Sequence, residues 1–189
     1  YVTPGNSYVW VQVPEYVSNG WAWAYWGDSA NVTPPTYTLN GSTWDSNYKG
    51  VWHLHCQNPL NPINDSSSLL NHGGNVGTTQ VQGKVANSIY IETNTYVSLP
   101  TSIAGSSLGS VSLWFNTTRN YTDNQIMYYG SDVTGGDGFG SEKELHLHLD
   151  SSEQPHFLIV GGVDISSGVN CADGVWHHLV LLHDTVLPV

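Results

Sequence analysis

The residues able to do chemistry in this chain fall into four small groups. Glu142 and Glu144 flank Lys143. On one strand face their carboxyls would approach the roughly 5–9.5 Å separation that glycoside hydrolysis uses; a solvated loop entering a strand accounts for them more simply. Histidines come as i, i+2 pairs, His53/His55 and His146/His148. Strand alternation puts each pair on one face, and two such pairs brought together would suit Zn²⁺. The plainer expectation is a polar face opposite Trp52/Leu54 and Leu145/Leu147/Leu149. Asp65 and Asn71 lie in a Ser/Asn-rich loop and offer the hard oxygens that Ca²⁺ takes, with Asp132 and Asp137 as a second candidate pair. The same residue types are ordinary turn material. Finally, Trp21, Trp23 and Tyr25 share one face of an alternating run. Such a row, with Trp10, Trp26 and Trp114 elsewhere, is either a platform for the apolar face of a sugar ring or a seam between two parts of the chain. The seam is the expectation for Trp21/Trp23/Tyr25. None of the four groups is a convincing catalytic constellation, so the chain is read as non-enzymatic.

Composition narrows the function further. Only 10% of the 189 residues are charged, Lys and Arg number 4, and the net charge is −11. A typical globular chain carries about 25% charged residues. So few cations cannot hold a phosphate backbone by counterion release, and the negative charge repels nucleic acid and anionic lipid alike. Aromatics at 12% argue for a packed fold rather than disorder. No apolar run is long enough to span a membrane as a helix. The first residue is Tyr1, with no signal-peptide pattern, which reads as a mature or trimmed segment.

Asn-X-Ser/Thr triplets at Asn31, Asn40, Asn64, Asn116 and Asn120 point to an exported, glycosylated protein at the cell surface or outside it. In that setting Cys56 and Cys171 are expected to form a disulfide; the competing reading is two buried thiols.

Positioning these groups calls for strands. Tyr8–Val13 and Trp21–Trp26 alternate, with Ser18-Asn19-Gly20 as the turn between them. The sequence from 32 to 41 reads as an exposed connection and that from 58 to 77 as a long polar loop. Further strands are expected at Val51–Cys56, Lys84–Glu92, Tyr96–Leu99, Val111–Asn116, Gln125–Tyr129, Leu145–Leu149, His156–Val160 and Val175–His183. The 3.6-residue period of an amphipathic helix is missing throughout. Many short strands separated by turns mean an all-β sandwich or jelly roll.

Several of these runs carry a family resemblance. Val51-Trp52-His53-Leu54, the loop Asp65–Gly73, Gly83–Tyr90, Tyr96-Val97-Ser98-Leu99-Pro100, Val111–Phe115 and Val175-Trp176-His177-His178-Leu179-Val180 occur in the order seen in laminin-G-like, concanavalin-A-like jelly rolls of secreted prokaryotic proteins. Ahead of them, Tyr25–Asp28 and Trp44–Tyr48 resemble the end of an uncharacterised β domain that often precedes such jelly rolls in surface proteins. The resemblance implies a small N-terminal β element and linker over 1–48 and a jelly roll over 49–189, apparently incomplete at its C-terminus. It also implies that His177 and His178 are structural, and that a structural calcium is the cofactor to expect, at Asp65 and Asn71. The glucanases of this fold resemble a Glu-x-Asp-x-x-Glu strand, which Glu144-Leu145-His146-Leu147-His148 does not match. The function expected is an adhesive or structural role in an extracellular, filament-like assembly, with carbohydrate binding as the alternative and glycoside hydrolysis further behind. The partners expected are other copies of the chain, neighbouring surface-protein domains and glycans.

Overall fold

Short alternating runs cut by Gly, Asn and Pro favour strands over helices, and the chain is built accordingly. The computed structural model describes residues 2–3, 6–13, 15, 17–25, 27, 30, 33, 35–55, 62–103, 109–118, 124–129, 145–159 and 164–182. The strands are β1 (Val2–Thr3), β2 (Asn6–Ser7), β3 (Gly74–Val76), β4 (Thr79–Gln82), β5 (Asn87–Tyr90), β6 (Tyr96–Ser98), β7 (Ser110–Phe115), β8 (Asn124–Tyr129), β9 (Leu145–Leu149), β10 (Pro155–Ile159), β11 (Asp164–Ser166) and β12 (His177–Leu182). Helix among the described residues is limited to 3₁₀ turns at Thr36–Thr38 and Thr101–Ile103. The all-β class read from the sequence is the class observed. The chain divides into two compact units, Tyr1–Ile103 and Ala104–Val189.

Among the described residues the first unit holds three antiparallel pairs, β1–β2, β3–β6 and β4–β5. Its irregular middle is organised by one carboxylate. Asp65 is buried, and its Oδ1 accepts the N–H groups of Val51 (2.7 Å) and Ser67 (2.8 Å). Its Oδ2 accepts the Ser67 hydroxyl (2.7 Å) and the Asn71 N–H (2.8 Å). Around this centre the Asp65 N–H donates to His72 Nδ1, and the Asn71 amide donates to the Lys49 carbonyl. The Trp52 indole N–H donates to the Asn71 carbonyl, and Ile63 and Gly73 exchange backbone bonds. The close packing needs Gly50, where a Cβ would lie 2.1 Å from the Trp52 ring.

In the second unit β11-β10-β9-β8 form one antiparallel sheet and β12-β7 a separate pair. Leu147 of β9 and Phe157 of β10 form the core, covered by Leu113 of β7 and by Leu179 and Leu181 of β12. This is sheet-on-sheet packing, with the inward residues of β7 and β12 alternating with exposed ones. A bulge between Gln125 and Met127 lets Ile126 and Met127 both reach that core.

Several local expectations are corrected. Residues 8–13 and 21–25 form no strand, because alternation alone supplies no partner to pair with. The rings of Trp21, Trp23 and Tyr25 are 85%, 79% and 92% exposed, so they close no seam. The run from Val51 is interrupted: Trp52 makes one bridge to Asp65, and Leu54 turns away at φ 53°. The stretch expected to be a polar loop contains β3, and β4 and β11 were not anticipated. The polar face expected for His146 and His148 is instead buried, at 1% and 3% exposure.

Two consequences follow for stability. Leu147→Ala removes the side chain that both sheets of the second unit share and should cost about 2–5 kcal/mol in denaturant unfolding. Asp65→Asn removes the charge and turns one accepting oxygen into an NH2 donor facing N–H or O–H groups, and should cost about 2–4 kcal/mol at neutral pH. Burial pushes the Asp65 carboxyl up, but the bonds from the Ser67 hydroxyl and from the Ser67, Val51 and Asn71 N–H groups outweigh it and hold it below the usual aspartate range. A carboxylate depressed in the folded state stabilises above its unfolded pKa and loses that contribution as pH falls through the folded value. Parent and Asp65→Asn stabilities should therefore converge in acid below about pH 4, measured by urea unfolding across pH; a gap that persists unchanged in acid would refute the assignment.

Candidate functional site

The first unit carries an aromatic cluster beside the Asp65 centre. Trp44 is held by its N–H to the Gly41 carbonyl (3.0 Å), and Tyr48 by its N–H to the Asp45 carbonyl (3.1 Å). The Asp45 carboxylate accepts the Asn47 N–H at 2.8 Å, closing an Asx turn. This turn brings the two rings edge to face, 5.1 Å between centroids. Trp10 joins them at 5.5 Å from Trp44 and stacks on His53 at 5.2 Å and 20°. Burial lowers the His53 pKa, which favours a neutral imidazole in the stack. The result borders an open pocket of ≈ 420 Å³ that also presents Gln12, Thr43 and Asp45. Trp10 is singled out by the sequence; Trp44 and Tyr48 are missed as a site, although an Asp-x-Asn turn between two aromatic residues four apart was the signal available.

The other candidates are placed as follows. Asp65 spends both carboxylate oxygens on four donors, and the Asn71 carbonyl and amide group are engaged with Trp52 and Lys49. Among the described residues no group of three or more His, Cys, Asp and Glu converges as metal ligands do. Asp132, Asp137, Glu142 and Glu144 lie outside the described residues. His53 and His55 do not share a face: His53 stacks on Trp10, whereas His55 pairs with the Asn87 amide, the break at Leu54 separating them. His146 and His148 do share a face, with Tyr128 5.0 Å from His146 and His156 4.9 Å from His148. His156 is in turn paired with Asp164, and His177 with Asp173 at 2.9 Å. His178 stacks on Trp114 at 4.8 Å and meets the Ser112 hydroxyl.

Cys171 is buried, and its thiol contacts the Val169 carbonyl at 3.5 Å. Burial, and then the nearby Asp173, raise its pKa. Cys56, its expected partner, lies outside the described residues, as do Asn31 and Asn120. Asn40, Asn64 and Asn116 are exposed. The Asn40 side-chain oxygen accepts from the Ser42 hydroxyl at 2.7 Å within its own triplet, and the Asn116 amide donates to the Gly174 carbonyl at 2.9 Å.

Compared with known proteins, residues 92–186 match the family model described as the concanavalin A-like lectin/glucanases superfamily. The match takes in β6 through β12, including the Val111–Phe115 and Trp176-His177-His178 runs; the runs before residue 92 that resemble the family lie outside it. No curated protein and no solved structure matches the chain. Among the described residues no helix is long and apolar enough to cross a membrane. With an all-β structure and half of its length matched, the chain belongs to the concanavalin A-like lectin/glucanases superfamily.

Proposed function

We propose that this chain is a non-catalytic module of a cell-surface or extracellular assembly, with an adhesive or structural role, and that other copies of the chain are its first partners. The observation that carries this reading is the run Trp21-Ala22-Trp23-Ala24-Tyr25. It has the alternation of a strand, pairs with no strand among the described residues, and holds its rings in solvent. Exposed apolar rows of this kind are contact surfaces, and an alternating run without a partner suits strand addition. The charge balance selects what kind of contact that is. Copies carrying a net −11 each, 15 Asp and Glu against 4 Lys and Arg, repel through their charged surfaces. The run from Trp21 to Tyr25 contains no charge and gives like copies a contact free of that repulsion.

Among the described residues of the second unit the carboxylates are tied to neighbouring groups; Glu142 and Glu144 lie outside those residues. In the second unit Asp150 caps the β9–β10 turn by accepting the N–H groups of Ser152 and Gln154. Glu153 binds the Asn170 amide, and Asp164 and Asp173 hold His156 and His177. Each positions its neighbours.

The triple variant Trp21→Ala, Trp23→Ala, Tyr25→Ala tests the reading. Because these side chains are exposed, its folding stability should stay within about 0.5 kcal/mol of the parent. Its assemblies should fall to monomers in sedimentation velocity and electron microscopy. A parent chain that stays monomeric at every concentration, or a variant that assembles equally well, would sink the proposal.

A further inference from the structure

We infer that the pocket bordered by Trp10, Trp44 and Tyr48 is a site for a small organic cation of the quaternary ammonium class. This goes beyond the assembly role proposed above and uses different residues. The pocket lies before residue 92, outside the stretch that matches the superfamily, so membership of the family does not supply it.

The first feature that selects the ligand is the set of ring angles. Trp10 and Trp44 lie 5.5 Å apart and are inclined at 52°. Trp44 and Tyr48 lie 5.1 Å apart at 63°. Coplanar rings would make a platform for a flat occupant. Successive rings turned this far from one another present walls in different directions, which suits a compact, rounded group. A nitrogen carrying methyl groups on all sides is such a group. Its positive charge is drawn to the negative face of a ring within about 6 Å of the centroid. Trp10 is 49% exposed and Tyr48 46%, so ring surface remains for an occupant. His53 stacks on Trp10 at 5.2 Å and holds the indole in place.

The second feature is charge. Asp45 borders the pocket, and neither Lys nor Arg does. The Asp45 carboxylate is already oriented, because one oxygen accepts the Asn47 N–H at 2.8 Å. The chain as a whole, at −11, draws cations and repels anions. A free cation is therefore favoured over a phosphocholine head, whose phosphate would be repelled.

The third feature separates a quaternary from a primary ammonium. A lysine-type ammonium keeps three N–H donors and a strong hydration shell. Val11 and Val13 border the pocket beside the rings and offer no acceptor from their side chains. A quaternary nitrogen has no N–H to satisfy, and its methyl groups gain from apolar contact. The volume of ≈ 420 Å³ falls within the roughly 300–1,000 Å³ of small-ligand sites, and the open side lets a tail lead out to solvent.

Isothermal titration calorimetry of the 189-residue chain tests the assignment. The probes are choline and tetramethylammonium, the uncharged analogue of choline with carbon in place of nitrogen, phosphocholine and cellohexaose. Choline and tetramethylammonium should bind in the low millimolar range or tighter. The uncharged analogue should bind at least about tenfold more weakly, phosphocholine more weakly than choline, and cellohexaose should not bind. Asp45→Asn keeps an acceptor for the Asn47 N–H and removes the charge. Trp10→Leu keeps an apolar side chain and removes the ring face. Each should weaken choline binding about fivefold or more, and Trp21→Ala should leave it unchanged. Thermal melts identify any variant that fails to fold; if Trp10→Leu does, Tyr48→Leu takes its place. No choline binding, equal binding of the uncharged analogue, tighter binding of phosphocholine, binding of cellohexaose, or unchanged affinity in the folded variants would each overturn the proposal. The Trp21/Trp23/Tyr25 variant tests assembly separately, so failure of one leaves the other standing.

Discussion

A single buried carboxylate holds the irregular part of the first unit in place. Among the described residues Asp65 makes no ion pair. Its charge is balanced by four hydrogen bonds, three from backbone N–H groups that a loop without regular structure would otherwise leave unpaired. Burying an ion without a counter-charge is costly unless its lone pairs are filled, and here they are filled by residues on both sides of it in sequence. Val51 comes from before Asp65, Ser67 and Asn71 from after. The carboxylate thus does for this region what a sheet ladder does elsewhere, and it sets the path of the chain into β3.

That path fixes what is built next to it. Trp52 reaches the Asn71 carbonyl, and the chain then turns at Leu54, so that His53 is left among the rings of Trp10 and Trp44 while His55 goes to Asn87. The aromatic pocket depends on this arrangement. His53 braces Trp10, and the Asx turn at Asp45 sets Tyr48 against Trp44. An exposed ring is a recognition element only when something holds it still. In this unit the bracing comes from neighbouring rings and turns and not from a continuous sheet.

The second unit solves its packing differently. Strand β9 has leucine on one face and histidine on the other, and both faces are buried. Leu147 packs with Phe157 against the β7–β12 pair. His146 and His148 lie against Tyr128, His156 and each other, and His156 is tied to Asp164. The Gln125 side-chain amide also meets His146 Nδ1 at 3.2 Å. These ring contacts make the i, i+2 pair a packing element of the sheet.

The strand class, most strands from β5 onward and the inward set Val111, Leu113 and Phe115 were legible in the sequence, because period-two alternation is a local property of consecutive residues. The same pattern misled at 8–13, 21–25 and 51–55, where alternation is present and a partner strand is not. Short Gly- and Asp-containing strands such as β3 and β11 escaped notice because pairing, not propensity, makes them strands. The candidate site was legible only in part: Trp10 was visible as an aromatic able to stack, while the pocket it shares with Trp44 and Tyr48 joins residues more than thirty positions apart. By itself the sequence determined the all-β class and the excess of acidic over basic residues, since these depend on composition and on local alternation. The tertiary structure decided which alternating runs find partners, that Asp65 meets N–H groups from both sides of the loop, and which rings remain open, because each of these depends on contacts between residues distant in the chain.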